Sequence, residues 1–233
     1  MFKKLSVKAK LYTFLFLSLI GICTVFYDYA QKHNAENKKI EARNAIIAEK
    51  NKQIEEEKKK SEEEEKKEIE KQKQLESKYN DALNKFHSGE RSKAVAIADE
   101  IIALDSNYYK AYNIKGIALC YGKKYQEGME NIDKALSIKG DYGYARFNKA
   151  LAYELYGHYD EALQWYDKAL EVENYVWSHY GKASIYGRKG DVANTVKYLK
   201  VAIEMDPNVK EEAKKEADFN NVRNSEEFQN LVK

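Results

Sequence analysis

Of 233 residues only one is proline, Pro207, and 11 are glycine. Interior Gly and Pro cost helices most, so their scarcity favours helix throughout. There are two cysteines, Cys23 and Cys120, in unlike regions, which implies no disulfide framework and identifies no compartment. The four histidines, His33, His87, His158 and His179, are scattered, with no pair at metal-ligand spacing. Lone helical histidines of this kind argue against a catalytic role. No phosphate-cradling glycine loop, nucleophile elbow or cysteine pair is present. The chain thus offers no chemistry for an enzyme, and no cofactor or metal is expected. An excess of one charge is also missing: formal net charge is +2, and Lys78 to Lys233 holds 23 Lys/Arg against 24 Asp/Glu. A near-neutral body argues against a nucleic-acid partner, which needs a basic face.

Charge and apolarity are concentrated at the N-terminus. Residues 1–10 carry Lys3, Lys4, Lys8 and Lys10, and Leu11 to Tyr27 then runs seventeen residues without a charge until Asp28. A run of that length sits at the short edge of a membrane-spanning helix. A cleaved signal peptide fits a basic and then apolar segment equally, but no small-x-small cleavage site stands clearly after the run. The residues before Cys23 are a poor match to a lipoprotein site. The reading favoured is an uncleaved anchor over 11–27 behind a basic cytoplasmic tail over 1–10. Lysines crowd the N-terminal flank and only Lys32 lies near the other, so the N-terminus is expected inside and the remainder outside a cell membrane crossed once. Tyr12, Phe26, Tyr27 and Tyr29 stand where interfacial anchors belong.

Residues 28–77 read as a charged helical stalk. From Gln31 to Glu76 there is no Gly or Pro. Glu55–Lys59, Glu56–Lys60, Glu62–Lys66 and Glu63–Lys67 are i,i+4 pairs in the favourable order, each worth roughly 0.2–0.5 kcal/mol. At 1.5 Å per residue such a helix reaches on the order of 70 Å. Ile40, Ile47 and Ile54 recur every seven residues, with Leu75 in phase, but Arg43, Lys50 and Glu57 fill the second row that a coiled coil needs. A solvated single helix and a weak self-associating coil both remain open. The acidic run Glu62 to Glu65 alternates with lysine and reads as a solvated face, not a calcium site.

Beyond the stalk the sequence repeats itself. AYNIKGIALCYGKKYQEGMENIDKALSI from Ala111, ARFNKALAYELYGHYDEALQWYDKALEV from Ala145 and SHYGKASIYGRKGDVANTVKYLKVAIEM from Ser178 share one register. It holds at Gly116, Ala150 and Ala183, and again at Ala135, Ala169 and Ala202, a period of 33 to 34 residues. A fixed period in this range means stacked supersecondary units. Each unit reads as two helices joined by a tight turn, as at Tyr156-Gly157-His158-Tyr159, where Gly157 supplies a permissive backbone. A weaker unit, Tyr79 to Asn107, precedes these and keeps phase through Ala82, Gly89, Ala94 and Ile101. Its first helix is expected to grow directly out of the stalk. After Pro207 the chain reads as one helix to about Ala217 and a short one from Ser225, with Phe219, Val222, Phe228 and Leu231 covering the last unit's open face, as a solenoid requires.

These units resemble the tetratricopeptide repeat over about Lys78 to Pro207. Tyr112, Gly116, Leu119, Tyr125, Ile132 and Ala135 match its pattern in one unit; Ala150, Tyr153, Gly157, Tyr159, Ala162, Tyr166 and Ala169 in the next; Ala183, Tyr186, Gly190, Leu199, Ala202 and Pro207 in the third. Arg146 and His179 depart where a large apolar residue is expected, and Gly128 and Thr195 replace alanines. The resemblance implies an all-α fold: a right-handed α-solenoid of helix pairs over 78–207, in units of about 76–108, 109–142, 143–175 and 176–209, closed by capping helices over 208–233.

The resemblance further implies that the first helices line a concave face. By repeat position its inward residues are Tyr79, Leu83, Phe86, Asn113, Ile117, Tyr121, Tyr144, Phe147, Asn148, Leu151, Leu155, Trp177, Tyr180 and Arg188. Exposed aromatics with a few polar groups suit recognition of another protein's peptide or helical segment. The same row is equally open to cover by the stalk, the C-terminal helix or another copy. Chaperone-binding members of the family grip a C-terminal carboxylate with inward Lys, Asn and Arg. Here only Asn148 fits, and Ile114, Ile117 and Gly181 stand where donors belong. The function expected is a membrane-anchored adaptor for an envelope or secreted protein, and the composition suggests a bacterial source. A self-assembling scaffold, a homo-oligomer built through repeats or stalks, is the alternative.

Overall fold

A computed structural model describes residues 6–233 as helices and short connections, with no strand among them. Lys3 and Lys4 of the basic tail lie outside the described residues. The chain divides into two units, Met1–Ile69 and Glu70–Lys233.

The first unit belongs to α1, which spans Val7–His87. Its apolar segment is long and apolar enough to cross a membrane, and none of that span is buried. Ile40, Ile47 and Ile54 are about half exposed, so their row has no mate within the chain. The four expected Glu-to-Lys pairs do not close among the described residues; Lys58 meets Glu62 instead, at 3.9 Å. Both partners are largely solvated, where side-chain entropy and screening offset most of a pair's attraction.

The second unit contains the end of α1, then α2 (Arg91–Leu104), α3 (Tyr109–Tyr121), α4 (Tyr125–Ile138), α5 (Gly143–Leu155), α6 (Tyr159–Leu170), α7 (Val176–Arg188), α8 (Val192–Met205), α9 (Val209–Lys215) and α10 (Glu226–Val232). A 3₁₀ turn, Ala217–Phe219, lies between the last two. Packing starts earlier than the expected residue 78, because Leu75 is already fully buried. Leu75, Tyr79 and Ala82 join Ala98, Ile101, Ile114 and Ile132 in one core cluster, so the end of α1 serves as the first helix of the first repeat.

Small residues set how closely paired helices approach. A Cβ on Gly116 would stand 2.6 Å from the Gly128 carbonyl oxygen, and one on Gly128 would stand 2.4 Å from Cys120 Sγ. Gly128, a departure from the family pattern, is therefore what allows α3 and α4 to cross backbone to backbone. In three of the hairpins the turn residue is a left-handed glycine: Gly89, Gly157 and Gly190, with φ of +80°, +80° and +73°. In the α3–α4 turn Lys123 takes that conformation instead, at φ +65°.

Ion pairs repeat with the same period between successive units. Lys115 Nζ on α3 lies 2.8 Å from Asp99 on α2; Lys149 on α5 pairs with Asp133 on α4, and Lys182 on α7 with Asp167 on α6. The Lys149 ammonium also sits 4.3 Å over the Trp165 ring, and that of Lys182 4.2 Å over Tyr198. Each lysine stem is buried by packing while its charge is held between a carboxylate and, in the last two pairs, an aromatic face.

The C-terminal segment closes the stack. Phe219, Val222 and Phe228 are buried with Leu199, Ala202 and Val209, and Leu231 packs against them partly exposed. α9 ends at Lys215, two residues short of the expected end. The Asn221 side chain donates to the Arg188 carbonyl at 2.7 Å, which fastens the cap to the end of α7.

Candidate protein-binding groove

The first helices of the third and fourth repeats, α5 and α7, diverge enough to leave a cavity of about 490 Å³. Helical spacing places Phe147, Leu151, Glu154 and Leu155 on one face of α5, and Trp177, Tyr180, Gly181, Ser184 and Arg188 on the facing side of α7. All of these line the cavity, with Tyr121 from α3, Tyr166 from α6, and Glu216 and Asp218 from the C-terminal cap. Trp177 and Leu155 remain 37% and 43% exposed, so apolar surface is presented at the opening.

The floor is polar and tightly bonded. The Tyr166 ring passes directly beneath α7, where a Cβ on Gly181 would stand 2.3 Å from its Cζ. That passage lets Tyr166 Oη donate to Glu154 Oε2 at 2.6 Å. Ser184 Oγ lies 2.8 Å from the other carboxylate oxygen and also contacts Asp218. A hydroxyl has one proton, so Ser184 donates to one carboxylate at a time. Burial pushes the Glu154 carboxyl up, against the downward pull of Tyr166 and Ser184. Burial likewise drives the Tyr166 phenol well above its ordinary value, so it stays a donor. Arg188 Nη2 pairs with Asp218 at 2.5 Å.

The cavity brings together Tyr121, Phe147, Leu151, Leu155, Trp177, Tyr180 and Arg188 of the residues expected on the concave face. The others are placed elsewhere. Ile117 is wholly buried in the core, and Tyr79 is buried, with its hydroxyl 3.4 Å from that of Tyr142. Asn113 and Asn148 are buried too, Asn148 Nδ2 donating to Asn113 Oδ1 at 3.1 Å. These four are buried and not open to a ligand, because neighbouring repeats cover part of each first helix. Leu83 and Phe86 pack partly buried on the first core cluster, Phe86 with its ring 5.6 Å from Tyr121. Tyr144 is stacked on Phe147 at 6.0 Å, and Phe147 meets Tyr175 edge-on at 5.0 Å.

Sequence reasoning misses Glu154, Ser184, Glu216, Asp218 and Tyr166 as site residues. Glu154 is within its reach, since it follows Leu151 by three and Phe147 by seven on the same helical face. Asp218 and Glu216 carry no periodic signal, because the cap lies outside the repeat. Tyr166 reads as packing, and it is fully buried; its hydroxyl alone reaches the site. Among the described residues no group of His, Cys, Asp or Glu is arranged to hold a metal ion. Burial pushes the Cys120 thiol up to about 11, which keeps it an inert core residue.

No family model matches the chain. It is 26% identical over 133 residues to the TPR repeat-containing protein MJ1428 of Methanocaldococcus jannaschii, a match covering 54% of this chain and 22% of that protein. It is 33% identical over 78 residues to the uncharacterized protein MJ0572 of the same organism, covering 34% of this chain and 86% of that one. Among solved structures, TTC0263, a thermophilic TPR protein of Thermus thermophilus, superposes with a TM-score of 0.53 at 19% identity, over 57% of this chain and 74% of that one.

Proposed function

We propose that the chain is a tetratricopeptide-repeat adaptor, as its likeness to a TPR repeat-containing protein supports, and that its groove holds a peptide or helical segment of another protein. The observation that carries this reading is the cavity between α5 and α7, with an exposed tryptophan and leucine at its opening. A concave apolar site with a few convergent polar groups is the usual form of a binding site, and Trp, Tyr and Arg are the residues that dominate binding energy. Glu154 and Ser184 are hydrogen-bonded within the protein, and no catalytic family is indicated by the relatives.

We further propose that residues 11–27 anchor the chain in a cell membrane, crossed once, with the N-terminus cytoplasmic and the repeats on the outer side. The exposed apolar segment and the crowding of lysine before it support this reading. Residues 28–69 then act as a spacer.

The test is site-specific photocrosslinking of the full chain in membranes. A crosslinking residue replacing Trp177 is expected to capture a discrete protein, and the same residue at exposed Gln126 on α4 is not. Identical adducts at both positions, or none at 177, would sink the proposal. A membrane-impermeant maleimide should label an introduced cysteine, Glu130→Cys, on intact cells; labelling only after lysis contradicts the membrane side. Truncation of Tyr144 and Phe147 is a poor probe of binding, because both rings are packed on Tyr175.

A further inference from the structure

The cavity between α5 and α7 is aromatic on its walls and acidic on its floor. Three carboxylates line it, Glu154, Glu216 and Asp218, against one guanidinium, Arg188. That guanidinium is engaged with Asp218 at 2.5 Å. Among the described residues no lysine or arginine forms an ion pair with Glu154 or Glu216. Glu154 is held in place only by neutral donors, Tyr166 and Ser184. Among the described residues the only cation that acts on the buried Glu154 carboxylate is Arg188, which is paired with Asp218 and reaches it from a distance, so a desolvation cost remains that a second cation would offset.

Two further features point to the same chemistry. Tyr121, Phe147, Trp177 and Tyr180 line the cavity beside the carboxylates, and aromatic rings attract ammonium and guanidinium groups, as Tyr121 already does with Arg91 at 5.0 Å. The Tyr180 hydroxyl is buried at the cavity wall and finds no hydrogen-bond partner among the described residues. A buried polar group without a partner is the exception in folded proteins, and a donor entering the cavity would satisfy it.

We infer that this cavity takes a positively charged side chain, an arginine or a lysine, projecting from the bound segment of the partner protein. This rests on the groove reading above and adds the chemistry of the partner. The fit favours arginine: a planar guanidinium lies against an aromatic wall while its forked donors reach a carboxylate and a hydroxyl together. The cavity is also large enough to admit a whole side chain and not only an inorganic ion.

A library of random dodecapeptides selected on the full chain in detergent micelles tests this, with clones kept only if binding is lost on Trp177→Ala. The expected result is one position in those clones that is arginine or lysine throughout. Replacing that arginine by citrulline, which keeps the shape and removes the charge, weakens binding about tenfold or more. Glu154→Gln weakens binding of the arginine peptide by a similar factor and abolishes the difference between arginine and citrulline, because the two changes remove the same interaction. Glu130→Gln, on exposed surface away from the cavity, leaves binding unchanged. Trp177-dependent peptides with no recurring basic residue, or with equal affinity for arginine and citrulline forms, overturn this inference and leave the groove reading standing. A selection that yields no Trp177-dependent clone overturns both. Should Glu154→Gln lower the melting temperature enough to unfold the chain, the citrulline comparison on the unaltered protein decides the matter.

Discussion

Gly181 is where packing and site meet, and its substitution gives a sharp test of both. A Cβ there would lie 2.3, 2.4 and 2.7 Å from Cζ, Oη and Cε2 of Tyr166. Tyr166 is fully buried, with Ala150, Ala162, Ile185 and partly buried Phe147 in its cluster, so a shift of the ring costs packing and its hydrogen bond to Glu154 even though the cavity lies beside it. Gly181→Ala must push α7 off α6, an overpacking cost of about 1–3 kcal/mol. The same change in an unobstructed helix interior gains about 1 kcal/mol from propensity. The sign of the net effect therefore reports whether the clash is real. In the wild-type background we expect a net loss of up to about 2 kcal/mol, or a fall in melting temperature of up to about 8 °C for a domain of this size. In a Tyr166→Leu background the obstruction is gone and Gly181→Ala should turn neutral or stabilising. The assay is urea unfolding of the full chain followed by fluorescence, since Trp165 on α6 and Trp177 on α7 flank the interface being forced apart. Equal effects of Gly181→Ala in both backgrounds would refute the argument, because residues in contact must couple.

Other expected outcomes follow from single residues. Lys123 holds a left-handed backbone that costs a side-chain-bearing residue about 1 kcal/mol, so Lys123→Gly should stabilise the chain by about 0.5–1 kcal/mol, read as a higher urea midpoint. Asp133→Asn leaves the nearly buried Lys149 ammonium without its carboxylate and should cost about 1 kcal/mol, with a smaller loss in high salt; no loss at low salt would remove the repeated pair as a stabilising element. Burial raises the Glu154 pKa, so the folded state holds that proton more firmly than the unfolded state does. Destabilisation from Glu154 is thus full above its folded value and fades as pH falls toward its unfolded value. The melting temperature of Glu154→Gln minus that of wild type should accordingly decrease on acidification from pH 7 toward about 4, and a gap that stays flat or widens would count against a buried ionised carboxyl.

The fold was legible wherever the physics is periodic. Alanines and glycines at helix crossings repeat because every unit faces the same steric demand, and Gly116, Ala150 and Ala183 display it in the bare sequence. The Asp99, Asp133, Asp167 and Lys115, Lys149, Lys182 series repeats just as plainly, yet charged residues in a charged chain read as solvated surface until the pairs are seen. Absence of Gly and Pro foretold helix from the stalk onward, and it runs to His87. The site was harder to read. Repeat position gives the direction of a side chain but not the cover supplied by the next unit, which is why Tyr79, Asn113, Ile117 and Asn148 lie beneath the surface they were expected to form. Glu154 escapes notice because a search for aromatic and aliphatic anchors discounts an acid on the same face. Asp218 and Glu216 come from a cap that obeys no repeat, and only folding brings them to α7.

The lysine–aspartate pairs have a further consequence for how such a chain changes length. Every one of these contacts joins the second helix of one unit to the first helix of the unit after it, with the same two residue types at the same two places. Excision of residues 109–142 would set Asp99 opposite Lys149, and duplication of the same stretch would offer each copy a ready mate. A cut of half that size would leave two carboxylates or two ammonium groups face to face. Growth and shrinkage are thereby quantised: whole modules can be gained or lost with the electrical seams intact, and fractions of a module cannot.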